Sequence, residues 1–126
     1  MLIVFGEVTA FPVAHYGFPT FGLRVEAGGR TLAYSADTGP TERLVRIAQG
    51  ADLFLCEASW TERPGLPADM HLTGRQAGEH AARAGVGSLL LTHIVPWADA
   101  KRLLEEAGAE YAETLALAQC DESYRV

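Results

Sequence analysis

Two short runs of the chain, residues 53–55 and 89–91, are apolar at every position. Successive side chains of a β-strand point to opposite faces, so a strand that is apolar throughout has both of its faces buried. Such strands are typical of α/β folds, in which a largely parallel sheet alternates with helices along the chain. The two runs therefore predict a sheet that is covered on both sides.

Strands and helices are predicted in the order βββαβαβαββ, from apolar alternation, helix-capping residues and terminal glycines. The strands are expected at residues 7–14, 21–26, 30–35, 52–56, 88–92, 114–118 and 123–126, and the helices at residues 40–50, 73–85 and from Asp99 onward. Residues 1–5 are interpreted as a further strand or its lead-in. A hairpin makes the second strand antiparallel to the third, and right-handed crossovers make the strands separated by helices parallel.

Three helices can cover one face of this sheet, and little of the chain remains to cover the other. The prediction is one domain, residues 1–126, with an α/β architecture: one mixed sheet with helices on one face. Each Leu or Phe that stays exposed loses the roughly 1.5 to 3 kcal/mol of stabilising free energy that burial of its side chain would contribute. We therefore expect something outside these 126 residues, a second copy or a complementing segment, to pack on the bare face.

Composition is that of an ordinary globular protein, with 48% hydrophobic and 21% charged residues. The net charge of −6 argues against a broad phosphate-binding surface. Cys56 and Cys120 have no paired spacing, which excludes a disulfide framework and a zinc finger and fits a reducing cytoplasm. The apolar start, residues 1–5, is too short for a signal peptide or membrane span, so no membrane association is expected.

Acidic and imidazole side chains stand just past four predicted strands: His15, Asp37, Glu57 and His93. If those strands point the same way, the four side chains meet at one edge of the sheet, where α/β folds place their chemistry. Imidazole and carboxylate are the usual protein ligands of zinc besides thiolate. Asp37 taken alone is more typical of a helix-capping turn, but together with His15 and His93 at the same edge it favours a metal site.

His71 opens a predicted helix, where an imidazole can contact an anionic group or donate a proton. Glu57 is suited to orienting a histidine, or to pairing with an arginine. Trp60 and Trp97 follow two of the strand ends and are expected either to wall a substrate pocket or simply to pack. His80 is assigned to a solvated helix face without a role.

Five segments of the chain resemble, in order, the C-terminal half of a metallo-β-lactamase-fold hydrolase. They are V-A-H-Y-G-F-P-T-F-G-L-R-V-E, L-A-Y-S-A-D-T-G-P, L-F-L-C-E-A-S-W, H-L-T-G-R-Q-A-G-E and L-L-L-T-H-I. The sequence is most similar to the ribonuclease Z-like phosphodiesterases. The resemblance implies half of a four-layer αββα sandwich and hydrolysis of phosphodiesters of the RNA 3′ end or cyclic nucleotide class.

The resemblance also implies the roles of the residues. His15 would bind the first of two zinc ions, Asp37 would bridge both, and His93 would bind the second. His71 would assist at the scissile phosphate as a catalytic residue, supported by Glu57. The family reaction is attack by a metal-bound hydroxide.

The sequence departs from the family at two points. Ala36 stands where the family often has glycine, and the His-x-His-x-Asp-His loop of the family's N-terminal half does not occur. Each zinc then keeps one private ligand plus Asp37, so we expect weak zinc binding and little or no activity from this chain alone. The alternatives are a non-catalytic interaction module, which would not need zinc, and esterase or lactonase chemistry on the same fold.

Overall fold

The computed structural model describes residues 6–126, and the predicted strand or lead-in at residues 1–5 lies outside this range. Nine helices and strands are formed within it. They are β1 (Gly6–Pro12), β2 (Phe21–Ala27), β3 (Arg30–Tyr34), α1 (Glu42–Ala48), β4 (Leu53–Glu57), α2 (Gly74–Ala84), β5 (Ser88–Thr92), α3 (Ala100–Glu110) and β6 (Thr114–Leu117).

The strands form one mixed sheet in which the spatial order equals the chain order, β1 to β6. β2 is antiparallel to both β1 and β3, whereas β3, β4, β5 and β6 are parallel. This confirms the expected hairpin and the parallel central strands. It also places the carboxyl ends of β1, β3, β4 and β5 at one edge of the sheet, called here the site edge.

The strand expected at residues 123–126 does not form, because the chain leaves the sheet after β6. Residues 121–126 are exposed, and the hydroxyl of Tyr124 accepts from the amide of Gln119 at 2.8 Å, so this segment turns back beside the end of β6 and does not pair with it. The sheet therefore has six strands within the described residues.

The helix ends follow their capping chemistry. Thr73 and Gln76 form a reciprocal capping box at the start of α2, which ends at Gly85 in the left-handed conformation. Asp99 caps α3 as expected. α1 differs from the prediction, because its first helical residue is Glu42 and not Pro40, and Thr41 caps it with a side chain that accepts from the amide of Arg43.

All three helices pack on one face of the sheet, and their contacts form the buried core. The expected alanine face of α2, Ala77, Ala81 and Ala84, is buried there. The side chains that line this core from the sheet and from the other helices include Ala33, Phe54, Cys56, Leu89, Leu91, Leu44, Ile47, Leu103 and Ala107.

The opposite face is apolar as well, and within the described residues no helix lies on it. Two rows of side chains cross it in register: Val8, Val25, Leu32 and Leu53, then Ala10, Leu23, Tyr34, Leu55 and Leu90. Leu53 and Leu90 are covered by their neighbours, whereas Val8 is 62% exposed. We call these two rows the open face.

Candidate metal and catalytic site

Five side chains meet at the site edge. The ring centroids of His15 and His71 are 5.3 Å apart, and those of His71 and His93 are 5.0 Å apart. Nε2 of His93 lies 3.7 Å from Oδ2 of Asp37, and Nδ1 of His71 lies 2.7 Å from Oε1 of Glu57. The structure thus brings together the residues that the sequence singled out for metal binding and catalysis.

The backbone bends sharply where three strands reach this site. Tyr16, Ala36 and His93 have φ angles of 50°, 53° and 57°, in the left-handed region that side chains disfavour. Strain of this kind costs about 1 to 3 kcal/mol per residue and clusters at functional sites. It also explains why glycine suits the position that Ala36 occupies.

Glu57 is the buried centre of the site, with 1% of its residue surface exposed. Its Oε1 accepts from the amide of Thr38 and from His71, both at 2.7 Å. Its Oε2 accepts from the amide of Leu72 at 3.0 Å and from the hydroxyl of Ser59 at 3.1 Å. Burial raises the pKa of Glu57, and the hydrogen bonds from Leu72, Thr38 and His71 oppose that rise.

One ligand atom each from Glu57, His71 and His93 lie within 4.8 Å of one another, close enough to hold an ion. Both Glu57 oxygens, however, already accept two hydrogen bonds from the protein, which uses their lone pairs. The geometry therefore favours Glu57 as the carboxylate that orients His71, the role expected from the sequence.

Hydrogen bonds fix the other two histidines through Nδ1. Nδ1 of His15 donates to the carbonyl of Met70 at 2.9 Å. Nδ1 of His93 lies 2.8 Å from the hydroxyl of Ser59, which can accept from it because its own proton faces two oxygen acceptors, the Glu57 carboxylate at 3.1 Å and the His93 carbonyl at 2.9 Å. Nδ1 of each ring is occupied, which leaves Nε2 to ligate a metal.

Sequence reasoning missed Ser59, which is fully buried and joins Glu57 to His93. The available signal was its position two residues after Glu57 in E-A-S-W. A single serine after a strand carries no motif, so only the three-dimensional contact identifies it.

The expectation for His80 was wrong. It is 6% exposed and not solvated. Its Nδ1 donates to the carbonyl of Gln76 at 2.6 Å, and its Nε2 accepts from the amide of Thr41 at 3.3 Å. The small alanines around His80 concealed its burial, because they let α2 lie close to the start of α1. His80 thus links two helices.

Two cavities adjoin the site. One of about 230 Å³ is lined by His71 together with Trp60, Arg63 and other residues. The second, of about 210 Å³, is lined by Trp60, Trp97, Arg63 and Arg102 among others. Trp60 stands edge-on to His71, with centroids 5.0 Å apart, and belongs to both cavities. Both tryptophans therefore line a cavity next to the candidate catalytic residue.

None of the helices in the described range, residues 6–126, is long and apolar enough to cross a membrane. Outside the hydrogen-bonded pair of His71 and Glu57, the site offers two imidazoles and a carboxylate, the nitrogen and oxygen chemistry that zinc accepts. The residues present therefore suit zinc in their donor chemistry, and His15, Asp37 and His93 are the side chains that could supply ligands.

Comparison with known proteins identifies the family. A family profile described as the beta-lactamase superfamily domain matches residues 3–94. An uncharacterised protein of Mycobacterium tuberculosis is 48% identical over 98% of this chain and 46% of its own length. A ribonuclease Z of Archaeoglobus fulgidus is 37% identical over 77% of this chain and 33% of its own length.

A solved structure shares the architecture. The metallo-beta-lactamase fold protein YhfI of Bacillus subtilis superposes with a TM-score of 0.83 and 26% identity, over 90% of this chain and 47% of that protein. The chain spans about half the length, or less, of the relatives it matches, so it corresponds to a partial domain. The matched residues, the fold and the histidine-rich edge agree, and the chain belongs to the metallo-β-lactamase superfamily.

Proposed function

We propose that this chain forms half of the active site of a zinc-dependent phosphodiester hydrolase. The observation that carries the proposal is the row of His15, His71 and His93 at one sheet edge, with Asp37 beside His93. All three rings are held by protein acceptors at Nδ1, as expected of preorganised ligands and catalytic groups.

His15, Asp37 and His93 would hold two zinc ions, with Asp37 serving both, and the ions would supply activation of water and stabilisation of charge on the phosphoryl group. His71 stands between His15 and His93 but is tied to the buried Glu57 and not to a solvent-exposed acceptor. We assign His71 the proton transfer to the departing oxygen through Nε2, and Glu57 the task of keeping the Nδ1 proton in place.

Phosphodiesters are favoured as substrates because ribonuclease Z is among the relatives of this chain. The net charge of −6 favours a small or single-stranded ligand that is contacted locally. A non-catalytic module would not require the buried carboxylate network around Glu57, which costs desolvation and leaves the histidines ordered. The reducing cytoplasm remains the proposed location, on the two unpaired cysteines.

We propose that one partner covers the open face and also supplies the metal ligands that this chain does not contain. A complementing segment that carries further histidines, or a second copy of this chain, would cover the apolar rows of the open face. Sedimentation should show concentration-dependent association of the purified chain. A monodisperse monomer that binds no hydrophobic dye at high concentration would contradict this.

The experiment uses the chain co-expressed with a segment that carries a His-x-His-x-Asp-His loop. Asp37→Ala should remove both bound zinc and hydrolysis of a chromogenic phosphodiester, because Asp37 would serve both ions. His71→Ala should lower turnover by about 100-fold or more and leave the zinc content near normal, because it lies outside the ligand set.

The opposite results would overturn the assignment. If His71→Ala lost the metal, or if Asp37→Ala kept full zinc and full rate, the proposed roles would be wrong. A carboxylic ester assayed beside the phosphodiester separates phosphodiesterase from esterase chemistry on the same site.

A further inference from the structure

The second cavity beside the site has an unusual lining for a surface cleft. It holds both tryptophans of the chain, Trp60 and Trp97, and two arginines, Arg63 and Arg102. Trp97 is 78% exposed, the most exposed of the large hydrophobic side chains in the described range. A ring that is left in water contributes nothing to the core, so Trp97 is not explained by packing. We call this cavity the tryptophan pocket.

Two arginines and one aspartate line the pocket. Arg63 forms no ion pair within residues 6–126. Arg102 uses Nε to bind Glu106 at 3.2 Å, which leaves its two terminal nitrogens as donors. Asp99 also lines the pocket, but one of its carboxylate oxygens already caps α3 by accepting from the amide of Arg102. The lining thus combines an exposed aromatic face with free guanidinium donors.

Trp60 and Arg63 connect this pocket to the candidate catalytic residue. Both also line the cavity that contains His71, and the Trp60 ring lies 5.0 Å from the His71 ring. A ligand with a phosphate at the histidines and a planar group a few bonds away would therefore reach Trp97 by passing Trp60. Arg63, which is common to both cavities, is placed to neutralise charge between them.

We propose that the tryptophan pocket binds the aromatic base of a nucleotide, stacked on Trp97, while the phosphate of the same molecule lies at His71. This rests on the proposed phosphodiester function and assigns the residues that would hold the base of its substrate. Base–aromatic stacking is strong and tolerant of sequence, and arginine planes add cation–π contacts. A phosphodiester without a ring would leave the pocket unused.

The test uses intrinsic fluorescence, because the only two tryptophans of the sequence line the pocket. The purified chain is titrated with 5′-AMP and, separately, with ribose 5-phosphate, which has the same phosphate and sugar but no base. Saturable quenching by 5′-AMP is expected, with ribose 5-phosphate at least tenfold weaker. Equal affinity for the two compounds would overturn the proposal, since the base would then contribute nothing.

Variants locate the contact. Trp97→Ala should weaken 5′-AMP binding about tenfold or more, followed through the remaining Trp60, and Trp97→Phe should retain most of it because an aromatic face remains. The exposure of Trp97 makes both variants compatible with folding. Unchanged affinity in Trp97→Ala would overturn the proposal.

Arg102→Met should weaken binding several-fold, and Lys101→Met provides the matched control. Lys101 is the adjacent cation on the same helix, with 88% of its side chain exposed, and it does not line the pocket. An equal loss in both variants would show that only general charge matters and would contradict a specific pocket.

The binding test is independent of turnover. If Trp97-dependent binding of 5′-AMP persists while the complemented protein hydrolyses no phosphodiester, the pocket stands and the proposed function fails. If hydrolysis occurs but 5′-AMP binds no better than ribose 5-phosphate, the proposed function stands and the pocket assignment fails.

Discussion

The chain reverses direction at both edges of the sheet, but the residues with a positive φ differ between the two edges. At the edge opposite the site, the described residues with positive φ are all glycines: Gly28, Gly29, Gly50 and Gly85. At the site edge, Tyr16, Ala36 and His93 adopt the same conformation with side chains attached, beside Gly17. The turns at the opposite edge use the residue without strain, whereas at the site edge the strained residue is the candidate ligand His93 itself or the neighbour of one, next to His15 and Asp37.

The largest expected effect is a loss of folding stability at the site edge. Glu57→Ala should lower the free energy of unfolding by about 3 to 5 kcal/mol, because it leaves the buried amides of Thr38 and Leu72 without their acceptor. Urea denaturation measures this.

The matched control is Glu42→Ala. Glu42 pairs with Arg83 on the exposed surface, so its loss should cost less than about 1 kcal/mol. If both variants lost a similar free energy of unfolding, the hydrogen bonds around Glu57 would contribute no more to stability than a surface ion pair does.

The next effect concerns the opposite edge. Gly85→Ala should destabilise the protein by about 1 kcal/mol, since Gly85 has a φ of 67° and an added Cβ meets no atom within 4 Å. The cost is therefore purely one of backbone conformation. A neutral thermal shift would indicate that this helix end relaxes, and that the two edges do not differ in the way described.

His93 offers the corresponding test at the site edge. His93→Ala and His93→Gly both remove the imidazole and its contact with Ser59, but only alanine keeps a Cβ at a φ of 57°. The glycine variant should be the more stable of the two by about 1 kcal/mol. Equal stability of the two variants would show that the backbone at position 93 is not strained. The contrast between the two sheet edges would then not hold at the one strained residue that is itself a candidate ligand.

The smallest effect is a gain. Ala36→Gly should stabilise the protein by about 0.5 kcal/mol, because relief of the left-handed backbone slightly exceeds the greater freedom of glycine in the unfolded chain. Parallel denaturation of the variant and the parent at matched concentration decides the sign. If the variant were less stable than the parent, the half-buried methyl of Ala36 would contribute more to stability than the backbone strain costs.

Residue patterns along the chain were sufficient to predict the central sheet, since hairpin turns and apolar runs are local signals. They also placed His15, Asp37, Glu57 and His93 at one edge, because parallel strands bring their ends together. Whether these side chains hold a metal stays a prediction.

What the sequence did not predict depends on long-range contacts. Ser59 is identified by its position between Glu57 and His93, 34 residues away from the latter. His80 is buried because α2 packs on the start of α1, and the terminal strand does not form because the chain turns back after β6, where Tyr124 accepts from the amide of Gln119. Both outcomes depend on residues that are distant in the chain, so a local sequence pattern does not predict them.

The order of the strands has a consequence for how the site comes into existence. Each strand pairs with the one made just before it, so the sheet can grow by addition of one strand at a time during synthesis, with little search among distant segments. His15 and Asp37 are then in place early, while His93 arrives only when β5 docks on β4. A nascent chain that stops before β5 would hold four paired strands with the site edge still lacking His93.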